Sequence, residues 1–242
     1  MKVLAIDTSN YPLGVALLDG DQVIGEYITN VKKNHSVRVM PAIDILMKDC
    51  GVTPAELDKI VVAKGPGSYT GVRIGVTIAK TLAWTLNKPL VGVSSLEIYA
   101  ASAGRYFNGV ISPLFDARRG QIYTGLYQYK EGQLASLMKD QLLLAKDWAA
   151  MLSEQQEKVL FIGNDLPLHK EVFTESLRDL AVYASPAEHN PRPAELALLG
   201  RDREPEEVHS FVPNYIRIAE AEANWIKANQ EKKLVMRKRT YE

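Results

Sequence analysis

Four groups of residues in this chain have the types and spacing to do chemistry. Asp7-Thr8-Ser9-Asn10 closes an apolar run. A carboxylate there can orient metal-bound water, and hydroxyls with backbone N–H groups can hold phosphate; the same residues also suit a side-chain-capped hairpin turn. Gly65-Pro66-Gly67-Ser68-Tyr69-Thr70-Gly71 is a glycine turn opening a helix. Free N–H groups at the positive end of a helix dipole favour phosphate. The known fingerprints fail, however. Gly71 is followed by Val72-Arg73 and not by Lys-Ser/Thr, the glycine spacing is wrong for GxGxxG, and Pro66 precedes Gly67 where a nucleophile elbow needs another pattern. A tight turn that lets helix and strand pack is the competing reading. His35, His169, His189 and His209 have no paired metal-ligand spacing, and Cys50 is the single cysteine, which excludes an internal disulfide and a cysteine zinc cluster. Arg118-Arg119, between two alternating strands, can meet phosphate or carboxylate, although arginines in a turn are usually solvated.

The elements that must position these groups follow from periodicity. Val3 to Ile6, Leu13 to Leu18 and Val23 to Tyr27 read as a three-strand meander, followed by a helix over His35 to Cys50. Ile60 to Ala63, a helix over Thr70 to Leu86, and Leu90 to Val93 make a strand-helix-strand crossover. Near Arg105 the texture changes: strands over Val110 to Phe115 and Gln121 to Tyr129, a helix over Leu142 to Gln156, a strand over Val159 to Ile162, and helices over Leu168 to Leu177 and Ala194 to Leu199. A last helix over Ala219 to Ala228 is expected to return to the first lobe. The expected division is therefore a first lobe over 1–104, joined again by 214–228, a second lobe over 105–213, and a disordered basic tail over 229–242.

Two helices carry more apolar surface than one core needs. On the first, Val39, Ala42, Ile43, Leu46 and Cys50 share a face, while Val37, Pro41 and Ile45 lie opposite beside Arg38, Asp44 and Lys48. On the second, Val72, Gly75, Val76, Ala79, Ala83 and Leu86 form one face and Ile74, Ile78 and Leu82 another. Arg73 and Lys80 lie inside this run and argue against a membrane span. Both helices suit an interface, or a central position in their own domain. The 242 residues are 46% hydrophobic, enough for two cores, and 29 basic residues balance 29 acidic ones, so no global attraction to nucleic acid is expected. The opening MKVLAIDTS reads as a strand start and not as a signal-peptide core, which makes the cytoplasm the expected location.

Gly65-Pro66-Gly67-Ser68-Tyr69-Thr70-Gly71-Val72-Arg73-Ile74-Gly75, the stretch Pro89 to Glu97, Asp116-Ala117-Arg118-Arg119-Gly120 with Tyr123, and Pro213-Asn214-Tyr215-Ile216-Arg217 together closely resemble the TsaB (YeaZ) family of tRNA threonylcarbamoyladenosine biosynthesis subunits. The resemblance implies a two-lobed α/β fold of the actin-like ATPase (ASKHA, ribonuclease H-like) class. In that superfold Asp7 and Thr8 match the loop that holds the phosphates and metal of ATP. It also implies a partner, the catalytic paralogue TsaD, docked on the two broad-faced helices. The partner-binding residues expected are Arg38, Pro41, Ile45 and Lys48 from the first helix and Val72, Arg73, Val76 and Lys80 from the second. TsaD holds its metal on a His-x-x-x-His motif; the aligned positions here are Ser95 and Tyr99, so neither a catalytic residue nor a metal is expected. The implied role is that of a non-catalytic subunit. It would support TsaD, with TsaE in the larger complex, in transferring threonylcarbamoyl from threonylcarbamoyl-AMP to the adenosine beside the anticodon of tRNAs reading ANN codons. No cofactor of its own is expected, with ATP or ADP at the partner interface as the alternative; the chain should meet tRNA only indirectly, avoid membranes, and form a homodimer when alone. The rival readings are an independent ATP-dependent kinase, a glycoprotease-like hydrolase, and a self-associating scaffold.

Overall fold

The computed structural model describes residues 1–217. Strands β1 (Lys2–Asp7), β2 (Pro12–Asp19) and β3 (Gln22–Asn30) form an antiparallel meander, and β4 (Lys59–Ala63) and β5 (Leu90–Val93) extend the sheet in parallel on the other side of β1. The same plan recurs. Strands β6 (Val110–Asp116), β7 (Gln121–Lys130) and β8 (Gln133–Leu144) are antiparallel, and β9 (Val159–Ile162) and β10 (Ala181–Tyr183) run parallel beyond β6. Two five-stranded sheets of identical connectivity make this the two-lobed actin-like, ribonuclease H-like fold.

Period-2 alternation divides the first sheet between two cores. Leu4, Ile6, Val15, Leu17, Ile60 and Val62 pack under helices α1 (Val39–Asp49) and α2 (Tyr69–Leu86). Val3, Ala5, Ala16, Val61, Ala63 and Val91 face α3 (Ser95–Gly104) and α6 (Pro193–Arg201). In the second lobe α4 (Ala145–Glu154) and α5 (Lys170–Leu177) cover one sheet face, and α3 again covers the other through Leu96, Tyr99 and Ala100. Helix α3 is thus sandwiched between the lobes, which is why seven of its ten residues are buried.

Several expected boundaries move. Helix α1 begins at Val39, after a single 3-10 turn over His35–Val37, because Pro41 has no N–H to give and is tolerated only in a first turn. Residues Leu142, Leu143 and Leu144, expected as helix, pair with Tyr123, Ile122 and Gln121 as the end of β8. The second lobe does not run to 213: α6 packs on β1 and β2, so the chain has already returned to the first lobe by Pro193. Ala194 and Leu196–Ala197 supply the buried face that makes this packing favourable. The expected last helix and the basic tail lie outside the described residues.

Candidate functional site

The tip of the β1–β2 hairpin abuts the glycine turn before α2, and the two are locked together. Ser68 N–H donates to Ser9 O (2.7 Å), and the Thr8 hydroxyl donates to Gly71 O (2.8 Å). Glycine is required by this approach: a Cβ on Gly67 would lie 2.2 Å from Ser9 O, and one on Gly71 2.3 Å from Thr8 O. The four-residue spacing of Gly67, Gly71 and Gly75 therefore serves a close packing, since Gly75 would meet the Thr8 hydroxyl in the same way. Asp7 and Thr8 are both 1% exposed. Asp7 Oδ1 accepts the Ser9 N–H (2.8 Å), while Oδ2 is buried without a partner among the described residues, and burial pushes its carboxyl above the usual carboxylate range. Thr8 has spent its proton on a backbone carbonyl, so Thr8 and Ser9 join the hairpin tip to the glycine turn.

Beside that joint lies an interlobe cleft of about 920 Å³. Asn10, Tyr11, the segment 31–35 and the start of α2 form its first-lobe wall. Phe115, Asp116, Arg118, Tyr123 and Asp165 form the opposite wall, and Asn214 to Arg217 cross its mouth. His169 Nε2 lies 2.9 Å from Asp116 Oδ1, and Asp165 Oδ2 accepts the Asp116 N–H at 3.0 Å. Burial raises the Asp165 pKa. Arg217 ties the mouth to the second lobe through Ala117 O (2.8 Å) and Gln121 Oε1. His35 Nε2 pairs with Asn10 O at 2.7 Å, and His35 lines the cleft.

On the outer side of the first lobe, α1 and α2 share one core and turn a second surface outward. Val37, Met40 and Ile45 are 68%, 45% and 51% exposed, and Tyr69 and Trp84 on α2 are similarly open. A shallow groove is lined by Ser36, Tyr69, Thr70, Arg73, Ile74, Thr77 and Ile78. Of the expected partner residues, Pro41, Ile45, Lys48 and Arg73 lie on this exposed side, with Lys48 paired to Asp44 at 2.7 Å. Arg38 is half-buried and donates to the Thr29 hydroxyl. Val72 and Val76 are corrected: at 2% and 3% exposed they belong to the core under the sheet, because the α2 face with small residues at 75, 79 and 83 is the one that packs inward. Lys80 is half-buried, with its ammonium held by His209 O (3.0 Å) and Phe211 O (2.8 Å). Ile74 and Ile78 are half-buried and line the groove.

Ser95 Oγ accepts the Gly65 N–H at 3.2 Å, and Tyr99 is fully buried, edge-on to Phe115, with its hydroxyl accepting from Asn164. Both side chains are thus committed to joining helix α3 to its surroundings.

Comparisons with known proteins follow the same lines. The family model for TsaD, tRNA N6-adenosine threonylcarbamoyltransferase, matches residues 22–225. The tRNA threonylcarbamoyladenosine biosynthesis protein TsaB of Bacillus subtilis (strain 168) is 59% identical over 230 residues, covering 95% of this chain and 100% of the relative. Its namesake from Escherichia coli (strain K12) is 35% identical over 133 residues, covering 54% of this chain and 57% of the relative. Among solved structures, YeaZ from Pseudomonas aeruginosa superposes with a TM-score of 0.72 at 26% identity, covering 88% of this chain and 99% of that one.

Proposed function

The chain belongs to the TsaB family, and from that premise we propose that it serves tRNA threonylcarbamoyladenosine biosynthesis as a non-catalytic subunit that binds TsaD. In this role it supports transfer of threonylcarbamoyl from threonylcarbamoyl-AMP to the adenosine beside the anticodon of tRNAs reading ANN codons, with TsaE in the larger complex and in the cytoplasm. Among the described residues no helix is long and apolar enough to cross a membrane.

The observation that carries the reading is the apolar surface left exposed on these elements: Val37, Met40 and Ile45 in and before α1, and the groove on α2 lined by Ile74 and Ile78. Exposed apolar surface gathered on two adjacent helices is a liability unless a partner covers it, and Met with Arg at its edges suits an interface. A supporting role, with no nucleotide held by this chain itself, is favoured by the commitment of Thr8, Ser68 and Ser95 to backbone partners. No cofactor of its own is proposed for the chain, with ATP or ADP at the interface with TsaD as the alternative.

The test is calorimetric titration of purified TsaD with this protein, followed by tRNA modification in the reconstituted set. Micromolar or tighter binding is expected, with Ile45→Glu or Ile78→Glu losing both binding and modification while the circular dichroism stays native. Full binding and modification by both variants would place the partner elsewhere.

A further inference from the structure

We infer that the mouth of the interlobe cleft is a surface for single-stranded RNA, with phosphates on its exposed cations and bases on its tyrosine rings. The chain as a whole is neutral, yet the cleft is not. Lys32, Lys33, Arg118 and Arg217 all line it and are all exposed, and none of them enters a salt bridge among the described residues. The two carboxylates on the same lining, Asp116 and Asp165, are half-buried and already engaged, Asp116 with His169 and Asp165 with the Asp116 N–H. The outer rim is therefore positive while its acidic groups are turned inward. Arg118 is held with φ 65°, in the left-handed region where glycine would be unstrained.

The aromatic half of the surface is as specific. Tyr69 and Tyr215 stack with centroids 5.1 Å apart, and the Arg73 guanidinium lies 5.3 Å from the Tyr69 ring. Tyr11, Tyr69 and Tyr215 are all more than 40% exposed. Half-exposed rings beside cations that no carboxylate neutralises are the means by which proteins hold splayed bases and the backbone between them. A lone nucleotide fits less well. Its phosphates would need the hairpin joint, where the Thr8 hydroxyl is bonded to Gly71 O and the Ser68 N–H to Ser9 O, and the cations come from separate segments of both lobes.

This surface rests on the proposed function only for taking the RNA to be tRNA. The test is fluorescence anisotropy of a labelled RNA hairpin with a single-stranded loop, titrated with this protein over a range of salt, and a fully duplex RNA of equal length as the control. Hairpin binding is expected to weaken with salt. The double variant Lys32→Glu, Lys33→Glu should weaken it tenfold or more, with the log–log salt slope reduced by about 0.7 for each phosphate that is no longer neutralised. Arg118→Gly should also lower the affinity while its melting temperature holds or rises, because glycine is at ease at that φ. Tyr215→Ala should weaken hairpin binding with the salt slope unchanged, and Tyr215→Phe should restore it. Equal affinity for the duplex, insensitivity to these variants, or displacement of the hairpin by micromolar ATP would each overturn the surface. TsaD binding is measured on the same variants: failure of the unaltered chain to bind TsaD sinks the parent reading alone, whereas intact TsaD binding with no RNA response sinks this one alone.

Discussion

Asp7 is the residue on which sequence and structure differ most instructively. Its position at the end of β1 was legible from the apolar run that precedes it, and so was its match to a phosphate loop. What the sequence could not carry was the approach of the α2 turn, which depends on three glycines fitting against backbone and side-chain atoms more than fifty residues away. That approach buries Asp7 and leaves Oδ2 unpartnered, and burial raises its pKa from the ordinary 3.8. The folded protein then holds a proton that the unfolded chain releases. Between the ordinary and the raised value stability falls as pH rises, and above that window the full penalty persists. Asp7→Asn keeps an acceptor for the Ser9 N–H and removes the charge. It should raise stability at neutral pH by about 1.4 kcal/mol for each unit by which burial has raised the pKa, and the advantage should vanish below the ordinary value. Thermal melts of both proteins across acid and neutral pH check this; a variant less stable at neutral pH would mean that the ionised form is favoured by something other than the Ser9 bond.

Helices α1 and α2 show how far periodicity reaches. The two apolar faces of α2 were readable from spacing alone, but which one turns inward was not, since both are apolar and either could meet a sheet. Small residues decide it: Gly75, Ala79 and Ala83 allow the helix backbone to come close to β4 and β1, leaving Ile74, Ile78 and Leu82 half-covered. Strand β8 was missed because its run QLASLMKDQLLL alternates poorly and ends in three leucines, which read as the start of a helix until Tyr123, Ile122 and Gln121 pair with them. The corrected faces separate two substitutions that the sequence treated alike. Val76→Glu places an unpaired carboxylate in the core, at a cost of several kcal/mol against a total stability of about 5–15 kcal/mol, and should melt the protein or leave it insoluble. Ile45→Glu adds a charge to a side chain already half in water, and should shift the melting temperature by only a few degrees while abolishing the complex with TsaD. Differential scanning calorimetry of the two variants distinguishes them, and equal destabilisation would mean that α1 is buried by a neighbour absent from the isolated chain.

At the scale of the whole molecule the two lobes are built as one body. Helix α3 belongs to both cores; α6 returns to the first sheet, where Glu26 accepts from Arg192 and from the Ala194 N–H (3.0 Å); and Asn30 donates across the gap to Asn164 (2.9 Å) and to Asn190 (2.8 Å). The duplicated sheet plan was partly legible, since the meander and the crossover were both visible, but the second crossover rests on the three-residue strand β10, too short to give a pattern. A body held in this way presents the α1–α2 face as a fixed surface and not as one that folds away when no partner is present. That face exposes Val37, Met40 and Ile45, and a second copy of the chain carries the same residues related by a two-fold axis, so an isologous pair can cover both at once. The protein alone is therefore expected to be a dimer at tens of micromolar, the range of a weak but specific association. Because the same side chains are proposed for both interfaces, TsaD should compete: added in equal amount, it should convert the homodimer to a one-to-one complex, following mass action. Light scattering coupled to size exclusion reads both states. Ile45→Glu should give a monomer in either case, and a homodimer that persists in that variant, or that binds TsaD without dissociating, would separate the self-association surface from the partner surface.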